Sequence, residues 1–343
     1  MSKILVTGGC GYIGSHTLID LIDNGFEVVC ADSLIRSSED ALDGIEAITG
    51  VRVQNYAIDL CDLEATRQIF KDHPDITGTI HFAALKAVGE SVEIPLDYFS
   101  NNLNSLLNML RCHQEFGVPN FIFSSSCSVY GNSTELPVTE NTPLQQAESP
   151  YALTKQMGEY MIRDFSKANP AVQSILLRYF NPAGAHESGK IGEVSFGPPR
   201  NLVPAITETA LGKREKLTVF GDDYDTRDGS CVRDYIHVMD LANAHTKAVQ
   251  FLMRGEQDTN CEVFNLGIGA GVTVLEALKA FEAVTGQKLN YEIGPRRDGD
   301  VVAVYSDLTR ASALLKWKPT RDIEDIMRTA WAWDSKRAGV DVV

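Results

Sequence analysis

Near the N-terminus the chain reads Lys3-Ile4-Leu5-Val6-Thr7-Gly8-Gly9-Cys10-Gly11-Tyr12-Ile13-Gly14. A continuously apolar run enters a cluster of glycines and leaves it as a helical pattern from Ile13 to Asn24, closed by Gly25. Strand, glycine turn and helix in that order make a cradle for a pyrophosphate. Glycine permits a tight turn and close backbone approach, and the helix start offers unpaired N–H groups and a positive dipole end. Gly8, Gly11 and Gly14 are the cradle residues on this reading, with Tyr12 and Ile13 in the helix start. A second apolar run over 27–31 ends at Asp32, about twenty residues beyond the glycines. A carboxylate there suits the adenosine ribose hydroxyls and repels a 2′-phosphate, which favours NAD over NADP. Arg36 nearby weakens that preference slightly, since an arginine could host that phosphate, and Asp32 also reads as an ordinary strand-end turn residue.

The alternation continues along the chain. The pattern predicts a strand over 51–57, a helix over 62–71, a strand over 79–82 and a long helix over 95–115 stopped by Gly117 and Pro119. A fifth strand starts at Phe121 and runs into Ser124-Ser125-Ser126; a helix over 150–168 and a strand over 174–180 follow. Continuously apolar strands alternating with helices predict an α/β fold, a doubly wound parallel (Rossmann) sheet covered on both faces. After Asn181-Pro182 the alternation loosens. Residues 184–201 read as a loop, and helices are expected near 202–212, 238–254, 273–286, 307–315 and 322–337. This divides the chain into a dinucleotide-binding domain, 1–180, and a smaller C-terminal α/β substrate domain, 181–343.

Composition narrows the function. The 343 residues carry 31 basic and 46 acidic side chains, a net charge of −15. Such a chain repels a phosphate backbone, so nucleic acid is not the expected partner, and any phosphate must be held by local donors. No apolar run reaches the roughly 18–20 residues that span a membrane, so no membrane partner is expected. The first strand begins within three residues, which leaves no room for a signal peptide. Seven scattered cysteines form no C-x-x-C pair and no zinc spacing. Reduced thiols, a cytoplasmic location and no metal are the expectation.

Tyr151 and Lys155 form a Y-x-x-x-K, which on a helix puts phenol and ammonium on one face. Two unit charges about 5 Å apart at an effective dielectric of about 20 interact by about 3 kcal/mol. That predicts a phenol lowered from about 10 toward 8, within reach of general-base work. Ser126 ends the fifth strand, where open parallel sheets bind ligands, and its hydroxyl suits a reacting alcohol oxygen. With the glycine cradle, these three residues point to hydride transfer between an alcohol carbon and a nicotinamide. They do not separate a net oxidoreductase from an epimerase.

The G-x-x-G-x-x-G spacing resembles the extended short-chain dehydrogenase/reductase superfamily. That resemblance implies adenine contacts from Asp59 and Leu60, cofactor contacts from Phe82, Ala83, Ala84 and Lys86, and a further one from Asn101. Longer strings are more specific: residues 7–17 (TGGCGYIGSHT), 81–91 (HFAALKAVGES), 177–186 (LRYFNPAGAH), 232–241 (VRDYIHVMDL) and 296–300 (RRDGD). Together they resemble the UDP-glucose 4-epimerases (UDP-galactose 4-epimerases) over residues 3 to about 335. The resemblance implies reversible 4-epimerisation of UDP-hexoses through a 4-keto sugar in galactose metabolism, with NAD retained as a prosthetic group. Tyr151 resembles the family's base and acid, Lys155 the group that holds the nicotinamide ribose and tunes it, and Ser126 the partner of the 4-oxygen. Tyr179, Phe180 and Asn181 would join the cofactor and substrate sites. Asn181, Asn201, Leu202, Arg233, Arg297 and Asp300 would contact UDP, with Thr218, Val219 and Phe220 flanking uracil. Two arginines suit a diphosphate in an otherwise acidic protein. Val304 aligns with the residue facing the sugar, where a small side chain resembles enzymes that also take N-acetylated UDP-sugars. A homodimer is common in the family, with 95–115 and 150–169 as the pairing helices. Another epimerase or a dehydratase of the superfamily is the alternative, although a dehydratase needs an acidic pair where Cys127-Ser128 stands.

Overall fold

The computed structural model describes residues 2–197, 201–297 and 301–340. Six strands follow one another with helices between them: β1 (Lys3–Thr7), β2 (Glu27–Ala31), β3 (Asn55–Tyr56), β4 (Ile76–His81), β5 (Asn120–Ser126) and β6 (Gln173–Tyr179). A seventh, Cys261–Leu266, joins beside β6, and the spatial order is Cys261–Leu266, β6, β5, β4, β1, β2, β3. Every pairing in this sheet is parallel. The order reverses between β1 and β4, so the crevice above Thr7 and His81 is the switch point where such sheets bind dinucleotides.

Strand alternation divides the core. Ile4 and Val6 pack with Leu18, Leu21, Val249 and Leu252 on one face, while Leu5 packs with Phe121, Leu106, Met109 and Ile162 on the other. The first layer is built on α1 (Tyr12–Asp23) and the helix Val238–Arg254, the second on Pro95–Phe116 and Pro150–Ala168. A third cluster holds Ile206, Val219, Phe281, Met327 and Trp331. It forms the core of a smaller unit with the helices Leu202–Ala210, Val274–Thr285 and Ile323–Arg337.

The chain leaves the main sheet near residue 181 but does not stay away. Helix Val238–Arg254 packs on α1, and Cys261–Leu266 hydrogen-bonds β6. Several expected boundaries also shift. The strand expected over 51–57 is reduced to Asn55–Tyr56, because it lies at the sheet edge and pairs on one side only. The helix expected over 307–315 is a single π-turn, Ala311–Leu315. Asp40–Thr49 and Val88–Glu93 are helices that the apolar pattern does not announce, the first burying only Leu42, Gly44 and Ile45.

Candidate active site

The glycine turn packs backbone against backbone. Gly8 has φ +69°, and a Cβ there would stand 2.8 Å from Ala83 N. A Cβ on Gly14 would stand 2.3 Å from Gly8 O. Only glycine fits either place. The first intrahelical bond runs from Ser15 N to Gly11 O at 2.9 Å, so the N–H groups of Tyr12, Ile13 and Gly14 stand ahead of it. Gly11 caps the helix with no side chain over those donors. Asp32 Oδ2 accepts from Cys10 N at 3.0 Å, and Oδ1 accepts from Leu34 N at 2.9 Å and Ser37 Oγ at 2.7 Å. These features fit a dinucleotide: a close-approach turn, outward N–H groups and a carboxylate at the neighbouring strand end.

Other expected cofactor residues border this cradle. Ala83 is the residue a Cβ on Gly8 would strike, and Phe82 N donates to Thr7 O at 3.0 Å. Leu60 is buried, and Asp59 Oδ1 accepts from Cys61 N at 2.8 Å. The Tyr12 phenol donates to Gly184 O at 2.6 Å, so its ring ties the helix start to the C-terminal half. Lys86 is exposed and its Nζ lies 3.6 Å from Glu193 Oε1, which also accepts from Asn201 Nδ2 at 3.0 Å. Asn101 donates to Asn102 Oδ1 at 2.9 Å. Asn102 is the residue that pins the segment around Ala84: it accepts from Leu85 N at 2.8 Å and donates to Leu85 O and Thr154 Oγ1.

Ser126, Tyr151 and Lys155 converge at the C-terminal edge of the sheet. Ser126 is the last residue of β5, in register with Tyr179 at the end of β6. Ser149 and Pro150 start the next helix, Ser149 Oγ accepting from Ala152 N at 3.2 Å, and this places Tyr151 in the first turn with Lys155 one turn on. Lys155 Nζ donates to Ser124 O at 2.6 Å and lies 5.8 Å from the Tyr151 ring centroid. The Ser124 and Tyr179 hydroxyls share a short hydrogen bond.

The electrostatics correct one expectation. Burial raises the Tyr151 phenol to about 12, with a hydrogen bond from Ser126 pulling the other way. Burial lowers Lys155 to about 7, opposed by the Glu159 carboxylate. Ammonium–phenolate attraction alone would put the phenol near 8, but both groups are also removed from water. Desolvation disfavours both charged forms and dominates here.

Of the expected UDP residues, Leu202 and the strand carrying Thr218, Val219 and Phe220 belong to the smaller unit. Asn181 N donates to Asp234 O at 3.0 Å, while its Oδ1 is buried with no hydrogen-bond partner among the described residues. A buried acceptor in that state is costly unless a ligand or an ordered water completes it. Phe180 is buried beside Val129, Tyr130 and Val138, and Val304 packs on the same cluster. Val304 pairs with Arg233, whose guanidinium donates to Val232 O and Val301 O at 2.9 and 2.8 Å. Asn201 caps the helix that Leu202 begins. Thr218, Val219 and Phe220 lie on the strand Leu217–Phe220; Val219 points into the core, leaving only its backbone for a ligand. Arg297 stacks its guanidinium 4.4 Å from the Phe220 ring centroid. Asp300 lies outside the described residues.

Two sets of residues were not found from sequence. Asp234 is fully buried and its carboxylate accepts from Ile268 N, Gly269 N, Ser306 N and Ser306 Oγ at 2.6–3.3 Å, locking the strands that carry Arg233 and Val304. Beneath Ser126 lies a buried Glu159–Arg178 pair. Each is a polar residue inside an apolar run, which is the signal a sequence offers for them.

Cradle and converging hydroxyl, phenol and ammonium are the parts of a nicotinamide-dependent enzyme that moves hydride at an alcohol carbon. The family described as GDP-mannose 4,6 dehydratase matches residues 5–330. The UDP-glucose 4-epimerase of Erwinia amylovora is 47% identical over 97% of this chain and 98% of its own length, and that of Bacillus subtilis 46% over 97% and 96%. The chain belongs to the UDP-glucose 4-epimerase family, within the broader dehydratase-type family. The UDP-glucose 4-epimerase of Stenotrophomonas maltophila, solved with NAD and formylated UDP-arabinopyranose, superposes with a TM-score of 0.96 at 41% identity, covering 99% of both chains. That of Bifidobacterium longum, solved with NAD+ and UDP, gives 0.93 at 43% identity, covering 98% of this chain and 99% of its own. Among the described residues no helix is long and apolar enough to cross a membrane.

Proposed function

We propose that the protein interconverts UDP-glucose and UDP-galactose at carbon 4, with NAD held over residues 1–180 and the UDP-sugar held largely by 181–343. The observation that carries this reading is the meeting of Ser126, Tyr151 and Lys155 at the sheet edge that the glycine cradle shares. Bound NAD supplies a reversible hydride acceptor. Tyr151 takes the proton of the 4-hydroxyl and later returns it, and Ser126 hydrogen-bonds the same oxygen. Lys155 supports the phenolate with its charge and holds the nicotinamide ribose. Gly8, Gly11, Tyr12, Ile13 and Gly14 face the pyrophosphate, Asp32 the adenosine ribose, Asp59 and Leu60 the adenine, and Phe82, Ala83, Ala84, Lys86, Asn101 and Phe180 the rest of the cofactor.

Asn181, Asn201, Leu202, Arg233, Arg297 and Asp300 anchor UDP, with Thr218 to Phe220 beside the uracil. Firm anchoring remote from carbon 4 leaves the 4-keto sugar free to turn over, so that hydride would return to the opposite face of carbon 4 while Tyr151 returns the proton to the 4-oxygen, with no net redox change. The unpartnered Asn181 Oδ1 supports a ligand at that junction. An assay of UDP-glucose against UDP-galactose in both directions tests the reading; absence of interconversion by NAD-loaded protein overturns it.

The sugar pocket also takes the N-acetylated UDP-hexoses, because Val304 presents little bulk beside Phe180. The working form is a homodimer built on Pro95–Phe116 and Pro150–Ala168, two packed helices that leave Leu96, Leu107, Leu153, Met157 and Tyr160 exposed. Sedimentation at micromolar concentration tests this. Seven free cysteines, four of them buried, support a cytoplasmic location.

A further inference from the structure

Behind the reacting groups the chain buries a second, fully dry set of charges. Glu159 lies one helical turn after Lys155 on Pro150–Ala168, and its side chain is 1% exposed. Arg178 on β6 meets it with a two-pronged grip: Nε donates to Oε1 at 2.8 Å and Nη2 to Oε2 at 2.6 Å. Ser125 on β5 donates to Oε1 at 2.6 Å. Arg178 is itself held by Tyr130, whose phenol accepts from Nη1 at 3.1 Å and donates to Asn265 Oδ1 at 2.6 Å.

Replacing such a pair with apolar groups of the same volume is often neutral or stabilising, so stability alone is a weak reason for it. Its position is more informative. The Glu159 carboxylate is clamped from the residue between Ser124, whose carbonyl holds the Lys155 ammonium, and Ser126 at the reacting oxygen. It therefore bears on both partners of the catalytic tyrosine, through the helix and through the strand.

We infer that Glu159, fixed by Arg178 and Ser125, is a positioning residue that keeps Lys155 charged and aimed at Ser124 in the working site. This rests on the assignment of Tyr151 and Lys155 given above. Burial drives Lys155 toward its neutral form, and Glu159 is the charge that opposes this. The groups facing Lys155 are Glu159 and the Tyr151 phenol from its own helix, the latter kept protonated by burial, and His81 from β4, which is buried and held neutral with its pKa at about 3. Those facing Glu159 are Arg178 from β6, Arg163 from its own helix at 3.7 Å, and the Cys261 thiol, which stays protonated.

The test is the pH dependence of kcat for NAD-loaded protein. Activity falls on the alkaline side as Lys155 loses its proton. Glu159→Gln moves that limb to lower pH by at least about half a unit, roughly threefold in the ionisation constant. Glu159→Asp keeps the charge and leaves the limb near its original place, even where it lowers Tm. If Glu159→Gln does not fold, Ser125→Ala, which releases one of the bonds that fix the carboxylate without changing any charge, is read instead, and the alkaline limb is again expected at lower pH. A limb unmoved in the folded variant, with only Tm reduced, overturns the inference and leaves a structural ion pair. Lys155→Met separates the two failures: a fully active Lys155→Met overturns the site assignment, whereas an inactive one with an unmoved Glu159→Gln limb overturns the positioning role alone.

Discussion

Asp32 holds the glycine turn through Cys10: the Cys10 N–H donates to Asp32 Oδ2 at 3.0 Å. One carboxylate therefore shapes the cradle and stands where the adenosine ribose is expected. Asp32→Ala removes the ribose acceptor and three internal hydrogen bonds together. NAD retention through gel filtration is expected to fall sharply, while UDP affinity of NAD-saturated protein changes little. Each lost internal bond costs about 1 kcal/mol, so Tm falls as well. Undiminished NAD retention would show that Asp32 is a turn residue only.

Tyr151→Phe removes the phenol that moves the proton and leaves the cradle intact. Turnover is expected to drop at least about a hundredfold, the low end for one general base, with NAD still bound by absorbance. Near-normal turnover would sink the assignment.

Arg297→Ala deletes the guanidinium stacked on Phe220. The KM for UDP-sugar is expected to rise and UDP binding to weaken by more than twofold, above roughly 0.4 kcal/mol, with kcat less affected. Calorimetry with UDP checks this, and unchanged affinity would remove Arg297 from the diphosphate clamp.

Five buried histidines make stability depend on acid. Burial lowers His16 and His81 to about 3, and His113, His237 and His245 to about 4. The unfolded chain takes up these protons near pH 6.5, where the folded chain does not. Stability is therefore fully present above about pH 6.5 and is lost as pH falls below it toward the folded values. Between pH 7 and pH 5 the Tm is expected to drop by at least about 5 °C, several kcal/mol at this chain length. A flat Tm across that interval contradicts the buried, neutral state of these rings.

Local signals carried the main sheet into view. Ile4 to Thr7, the glycines and Asp32 are contiguous, and their chemistry depends on neighbours in sequence. Cys261–Leu266 was less legible, because joining β6 follows from a return across the sheet that no local pattern encodes. The same limit applies to the site. Ser126, Tyr151 and Lys155 announce themselves by type and spacing. Asp234's lock on Ser306 and the Glu159–Arg178 pair depend on partners 72 and 19 residues away, and Asn181's open acceptor depends on a burial that only the assembled site creates. The phenol near 8 failed for a related reason: attraction is readable from an i, i+4 spacing, but desolvation depends on burial, which only the assembled site fixes.

Val304 offers the sharpest test of sugar choice. It pairs with Arg233 and packs on the Phe180 cluster. The ring of the next residue, Tyr305, lies toward Gly271 instead, where an added Cβ would come within 3.3 Å of it. Successive side chains on a strand point to opposite faces, so Val304 and not Tyr305 bears on the Phe180 side. An N-acetyl group must sweep past this wall as the 4-keto sugar turns, and a tyrosine ring would obstruct it. Valine is small but stiff, which leaves the space open. Activity is therefore expected on UDP-N-acetylglucosamine as well as UDP-glucose. Val304→Tyr should lose the N-acetyl activity selectively while keeping UDP-glucose turnover within about threefold, a change below 1 kcal/mol in the barrier. Both substrates measured on both proteins decide it: a wild type inert toward the N-acetyl sugar, or a Val304→Tyr that loses both activities equally, would remove Val304 as the residue that sets sugar size.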